Sequence, residues 1–234
     1  MNSDEQIVKQ YLLNSGYSDV AYEPDGNVPP DFLVDGSIAV EVRRLNQHYF
    51  GGEFPEGLEI EAIPLWRQLG ALAVGLGPPI DDQSWYLYFR FERPVERFKT
   101  LLPKIRAALE VFKASATKTK GLVFEQDGFE IEVVRSPTLH PSLFTLGGCT
   151  DRDSGGWLIH EMHQNIVHCV SEKTLKVSQK RQKYPVWWLA LVDYIGFGLD
   201  DSDKAALREH VSLHCGWGRI IVIDPRDART SFDL

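Results

Sequence analysis

The chain has 234 residues, 43% of them hydrophobic, and a formal net charge of −8. That length supplies one sizeable core, or a core with an elaborate insertion. The acidic balance argues against a surface that is basic all over, as a general nucleic-acid coat would be. The polar start MNSDEQIVKQ is expected to be neither a signal nor a transit peptide. No apolar run approaches the roughly 20 residues that span a bilayer, so a soluble, cytoplasmic protein with no membrane partner is expected. Three widely spaced cysteines, Cys149, Cys169 and Cys215, make no disulfide framework. A reducing compartment is expected, with the thiols buried as small hydrophobes.

Residues 3–15 predict a helix capped by Ser3 or Asp4, with Ile7, Tyr11 and Leu12 at helical spacing and Gly16 just past its end. DVAYEPD is a short strand candidate. DFLV and SIAVEVRRL flank Asp35-Gly36, a strong hairpin signal. Residues 46–84 hold a loop, YFGGEFPEG, and a partly helical stretch containing Pro64. WYLYFRF (85–91) predicts a strand. Residues 94–115 predict a helix opened by Pro94, with Pro103 as a kink or break. A second hairpin is expected at 121–135 around Asp127-Gly128 and a loop at 136–155. A long helix follows from about Trp157 to Gln182. PVWWLALVDY (185–194) is almost continuously apolar, as a strand buried on both faces would be. A helix, DDSDKAALREHVSL, and a short strand, GRIIVIDP, close the chain. Buried strands separated by helices indicate an α/β sheet. With no convincing linker, a single domain is expected, its core at about 1–47 and 157–234 and an α+β elaboration at about 48–156.

The chemistry concentrates in the first hairpin. Side chains alternate along a strand, so Glu41 and Arg43 share one face and Val40 and Val42 the other. A three-residue loop, Asp35-Gly36-Ser37, pairs Val34 with Ile38 and sets Asp31 opposite Glu41. A two-residue loop would move Asp31 opposite Val40, on the wrong face. We take the first register. Two like charges directly opposite destabilise a hairpin unless something cationic sits between them. Two converging carboxylates are hard oxygen ligands suited to Mg²⁺ or Mn²⁺. The hairpin alone is equally consistent with a Pro-Asp turn and an exposed Glu41–Arg43 pair.

Pro30-Asp31 followed by Glu41-Val42-Arg43 resembles the motif of the PD-(D/E)XK nuclease superfamily, the restriction-endonuclease-like fold, with Arg43 in place of the motif lysine. SEKTLKVSQKRQKYPVWWLALVDY also looks like that family's lysine-rich helix and following strand. The match covers residues 1–47 and about 157–195. The resemblance implies a mixed central sheet flanked by helices and a metal-dependent endonuclease cutting a phosphodiester bond. DNA is a more natural substrate than RNA under it, and many such enzymes cut as homodimers. It implies Mg²⁺ or Mn²⁺ on Asp31 and Glu41, with Glu5 of the first helix matching a further acid by position. Asp31, Glu41 and Arg43 would be catalytic. Arginine is effectively never deprotonated, so Arg43 could hold a water or phosphate but could not act as a base. The alternative is an inactive member of the fold that binds nucleic acid or a protein.

At helical spacing Lys173, Lys176, Lys180 and Lys183 share one face. Lys176, Lys180 and Lys183 are therefore candidate phosphate contacts, although charge runs are usually solvated faces. His160 and His163, even with Cys149, lack any zinc-site spacing. Trp187 and Trp188 belong in the core.

Overall fold

The computed structural model describes residues 1–211 and 216–234. Ser212 and Leu213, at the expected end of the last helix, and Cys215 lie outside them. The described protein is mixed α/β and divides into two compact units, 1–47 with 156–234 and 48–155. A single domain with an elaborated middle was expected, cut at nearly the same residues.

The first unit opens with α1 (Ser3–Asn14). Its N-cap is Asn2 rather than Ser3 or Asp4: the Asn2 side chain accepts from Glu5 N–H and the Glu5 carboxylate accepts from Asn2 N–H. Gly16 follows the helix at φ +91°, a left-handed position that costs glycine nothing. Next come β1 (Val20–Tyr22), β2 (Phe32–Val34) and β3 (Ile38–Leu45).

The second unit contains a two-stranded ribbon, β4 (His48–Tyr49) with β5 (Glu56–Gly57), then α2 (Glu59–Val74), β6 (Trp85–Phe91), α3 (Phe98–Ala114), β7 (Gly121–Gln126), β8 (Phe129–Arg135) and β9 (Phe144–Asp151). Its sheet runs β7-β8-β6-β9, with β9 parallel to β6 and the other pairs antiparallel. Alternate residues Trp85, Leu87, Phe89 and Phe91 of β6 pack against Leu65, Leu69 and Leu72 of α2 and Leu101, Ile105 and Leu109 of α3. The strand β9 corrects the loop expected at 136–155. Its glycine pair, Gly147-Gly148, hides the alternation, and a bulge there shifts its register on β6. The helix expected from Pro94 starts instead at Phe98. Arg93 is pinned ahead of it, and the chain passes a cis Arg93–Pro94 bond. The Arg93 guanidinium is buried and bonds Asp151 (2.6 and 2.7 Å), Asp153 (3.1 Å) and the Leu58 carbonyl (2.8 Å), with Glu61 at 3.4 Å. Cys149 is exposed on β9, not buried as expected.

The chain then returns to the first unit through α4 (Leu158–Val177). A 3₁₀ segment, Ser178–Lys183, follows it where a continuous α-helix to Gln182 was expected. The rest is β10 (Val186–Asp193), α5 (Asp201–His210), β11 (Arg219–Ile223) and β12 (Ser231–Asp233). The six-stranded sheet has the order β1-β2-β3-β10-β11-β12 and is mixed: β3, β10 and β11 are parallel, and the outer pairs are antiparallel. Central β10 is buried along Trp187–Asp193, the reason its sequence is almost unbroken apolar. One sheet face carries Val40, Val42, Trp188 and Ala190 and packs on Val8, Tyr11 and Leu12 of α1. The other carries Leu45, Leu189 and Leu191 and packs on Met162, Ile166, Cys169 and Val170 of α4. A third cluster, Ala39, Val177 and Trp187, lies further along that face. Among the described residues no helix is long and apolar enough to cross a membrane.

Candidate functional site

The β2–β3 turn sets the site. Asp35 and Gly36 both have positive φ, 48° and 64°, and Ser37 N–H closes the turn onto the Val34 carbonyl at 3.1 Å. Ser37 is the extra residue, so pairing resumes as Val34 with Ile38, Leu33 with Ala39 and Phe32 with Val40. One step further, Asp31 faces Glu41. The three-residue loop and its register are those expected. Asp31 Oδ2 accepts the Val42 N–H at 2.6 Å, which fixes the carboxylate beside Glu41.

Glu41 is completely buried. It lies on the α4 side of the sheet between two apolar clusters, one at Leu45 and Cys169 and the other at Ala39 and Trp187. An isolated carboxylate there would carry a desolvation cost of several kcal/mol. Two ammonium groups from α4 offset it: Lys173 Nζ and Lys176 Nζ each donate to Glu41 Oε1 at 2.7 Å. The second oxygen, Oε2, is buried with no hydrogen-bond partner among the described residues. The two lysines differ. The Lys173 side chain is 8% exposed and that of Lys176 47%.

Asp31 reports the field of this cluster. Burial, then the charge of Glu41, push its carboxyl up to about 6, against the opposing pull of the Val42 N–H, Lys173 and Lys176. Burial works to lower the Lys176 ammonium, but the hydrogen bond to Glu41 and the charges of Glu41 and Asp31 leave it raised. Buried Cys169, nearby on α4, is pushed up to about 11, chiefly by burial, and is a poor nucleophile.

Arg43 shares the Glu41 face, as the strand period requires, but reaches outward to α4, where its Nη2 lies 3.0 Å from Glu172 Oε2. Charges are thus exchanged between the two elements: β3 presents Glu41 and Arg43, and α4 answers with Lys173, Lys176 and Glu172.

Glu5 does not join the two acids. It sits on α1, which covers the opposite face of the sheet, and is occupied by Asn2 N–H (2.6 Å) and the Tyr22 hydroxyl (2.9 Å). Its neighbour Asp4 reaches the central strands instead, accepting from Arg44 Nε of β3 at 3.0 Å and from the hydroxyl of Tyr194, just past β10, at 2.8 Å. Among the described residues no three His, Cys, Asp or Glu side chains group closely enough to hold a metal ion.

The single lysine face is also corrected. The change from α to 3₁₀ winding at Ser178 breaks its phase. Lys173 and Lys176 turn inward to Glu41. Lys183 pairs with Asp25, which also accepts from the Tyr184 hydroxyl at 3.1 Å. Lys180 is exposed. Between His160 and His163 on α4, Glu161 accepts from Gln47 (3.2 Å) and Gln164 (2.9 Å).

The inward role of Lys173 escaped the sequence reading. A signal was present: Ile159, Met162, Ile166, Val170, Lys173 and Val177 follow one helical stripe, and all are buried. A lysine in an apolar stripe needs a buried acid opposite it.

No family model, curated protein or solved structure matches the chain.

Proposed function

We propose that the first unit is a metal-dependent nuclease of restriction-endonuclease-like fold, hydrolysing phosphodiester bonds of nucleic acid, DNA before RNA. One observation carries the reading. The β2–β3 register aligns Asp31 with Glu41 on one face, and Glu41 there keeps a buried oxygen without a partner among the described residues. The order of elements supports it: a first helix, an antiparallel hairpin, then a helix leading to a strand parallel to the second hairpin strand.

The residues present fit a divalent ion. Asp31 and Glu41 offer hard oxygens, one of them unsatisfied, and substrate or water would supply the remaining ligands, as is usual for Mg²⁺. When bound, such an ion supplies Lewis acidity toward a phosphate oxygen and lowers the pKa of a water. The chain's own groups do the rest. Val42 N–H fixes the Asp31 carboxylate, and Lys173 holds Glu41 in place from inside the core. Lys176 gives the site a cation that the motif position, occupied by Arg43, does not direct there. Arg43, paired with Glu172, is placed to share a phosphate rather than to take a proton.

A second reading is a non-catalytic module of this fold that binds nucleic acid or a protein. The two ammonium groups already on Glu41 favour it, because they leave the cluster close to neutral. Incubation of plasmid, single-stranded DNA and RNA with Mg²⁺ or Mn²⁺ separates the two. Wild type should cut at least one substrate, and Asp31→Asn should cut it ~10²-fold more slowly. Equal background in both proteins would remove the nuclease reading and leave the second.

A further inference from the structure

We propose that Lys176 is a resident competitor of the divalent ion: its ammonium leaves Glu41 as the ion binds and then serves the anionic substrate at the mouth of the site. This rests on the metal reading above and adds the residue that changes partner. Two α4 ammonium groups, one helical turn apart, share a single oxygen of Glu41 while the other oxygen has no partner among the described residues. Together with Asp31 the cluster holds two carboxylates and two ammonium groups, and is neutral. A divalent ion added to it would leave an excess of two positive charges in a largely dry place, where like charges a few ångströms apart repel strongly. One ammonium must go.

Exposure decides which. Lys173, with 8% of its side chain exposed, has no water to retreat into, and withdrawing it would strand a buried charge. Lys176 is 47% exposed and can swing its head into solvent on its flexible stem. It also lies in the last turn of α4, where the helix dipole favours a cation once Glu41 is given up. A freed ammonium at that edge is a natural contact for a phosphate. Lys173 stays behind as the fixed anchor of Glu41.

The test is Mn²⁺ binding by isothermal titration calorimetry on the full chain, alongside binding of a short DNA duplex in Ca²⁺, for wild type, Lys176→Met and Lys176→Gln. Both variants should bind Mn²⁺ at least ~10-fold more tightly, because the Lys176–Glu41 bond no longer has to break. Both should bind the duplex ~3- to 10-fold more weakly. Lys99→Met, an exposed change on α3, should keep wild-type Mn²⁺ affinity to within about twofold. Unchanged or weaker Mn²⁺ affinity in the Lys176 variants overturns the competition. Tighter Mn²⁺ with unchanged duplex affinity overturns the transfer to substrate. Absence of Mn²⁺ binding in every protein brings down the metal reading itself, and the proposal with it.

Discussion

Two buried charge clusters, one in each unit, follow opposite rules. In the second unit Arg93 is a buried cation surrounded by Asp151, Asp153 and Glu61 and by the Leu58 carbonyl. In the first, Glu41 is a buried anion with both lysines on one oxygen, no partner for the other among the described residues, and a second carboxylate, Asp31, at its side. The first arrangement saturates its central charge, as a structural ion cluster must to recover its desolvation cost. The other is unbalanced. An unpaired carboxylate oxygen and a second acid that charges reluctantly mark a place where stability is given up for something else. Strong burial of charge is therefore a poor indicator of function by itself. The shortfall in partners is the informative part.

The largest effect should come from breaking the saturated cluster. Arg93→Met leaves three carboxylates facing one another around a lost cation, and should cost ~3–5 kcal/mol in urea unfolding. A loss below about 1 kcal/mol would mean that water already screens the cluster. The equivalent break in the first unit is Glu41→Leu, which strands Lys173 and should cost ~3 kcal/mol. Lys173→Met should cost a similar amount, but the double variant Glu41→Leu/Lys173→Met should recover most of it, since a buried pair is often replaceable by apolar groups. Additive losses in the double variant would show that the two side chains do not compensate each other.

What was legible in the sequence follows the same division. Local periodicity and turn chemistry carried the β2–β3 hairpin and its register, because Asp35-Gly36 supplies two positive φ values and Ser37 one extra residue. They also carried the buried strand β10, whose apolar run admits few alternatives. The losses were tertiary. Glu5 and Asp4 are adjacent in sequence, yet Glu5 meets Tyr22 of the outer strand β1 and only Asp4 reaches Arg44 and Tyr194 at the sheet centre. Which of two neighbouring acids does so depends on the rotation of α1, not on spacing. The lysine run was read as one outward face because the switch to 3₁₀ winding after Val177 has no local marker. A cation beside the two acids was anticipated on electrostatic grounds, but its place on Glu41 and its source on a helix 132 residues away were not. Strand β9 was missed because glycine carries no side chain from which to read alternation.

The smallest effect isolates Asp31 and has the opposite sign. A carboxyl raised to about 6 in the folded protein lies above its ordinary unfolded value near 3.9. The folded state then binds the extra proton between those two values. Ionised Asp31 therefore costs nothing below about pH 4, costs progressively more as pH rises toward 6, and costs its full amount above that. Asp31→Asn keeps an oxygen for the Val42 N–H and removes the charge. In the presence of a chelator it should match wild type near pH 4 and be more stable by ~2–3 kcal/mol at pH 7. Urea titrations at the two pH values read this directly. Mn²⁺ at pH 7 should then reverse the order, stabilising wild type by mass action and leaving the variant unmoved. Equal stability at both pH values would mean that neither burial nor Glu41 burdens Asp31, and the contrast between a saturated and an unbalanced cluster would lose its second acid.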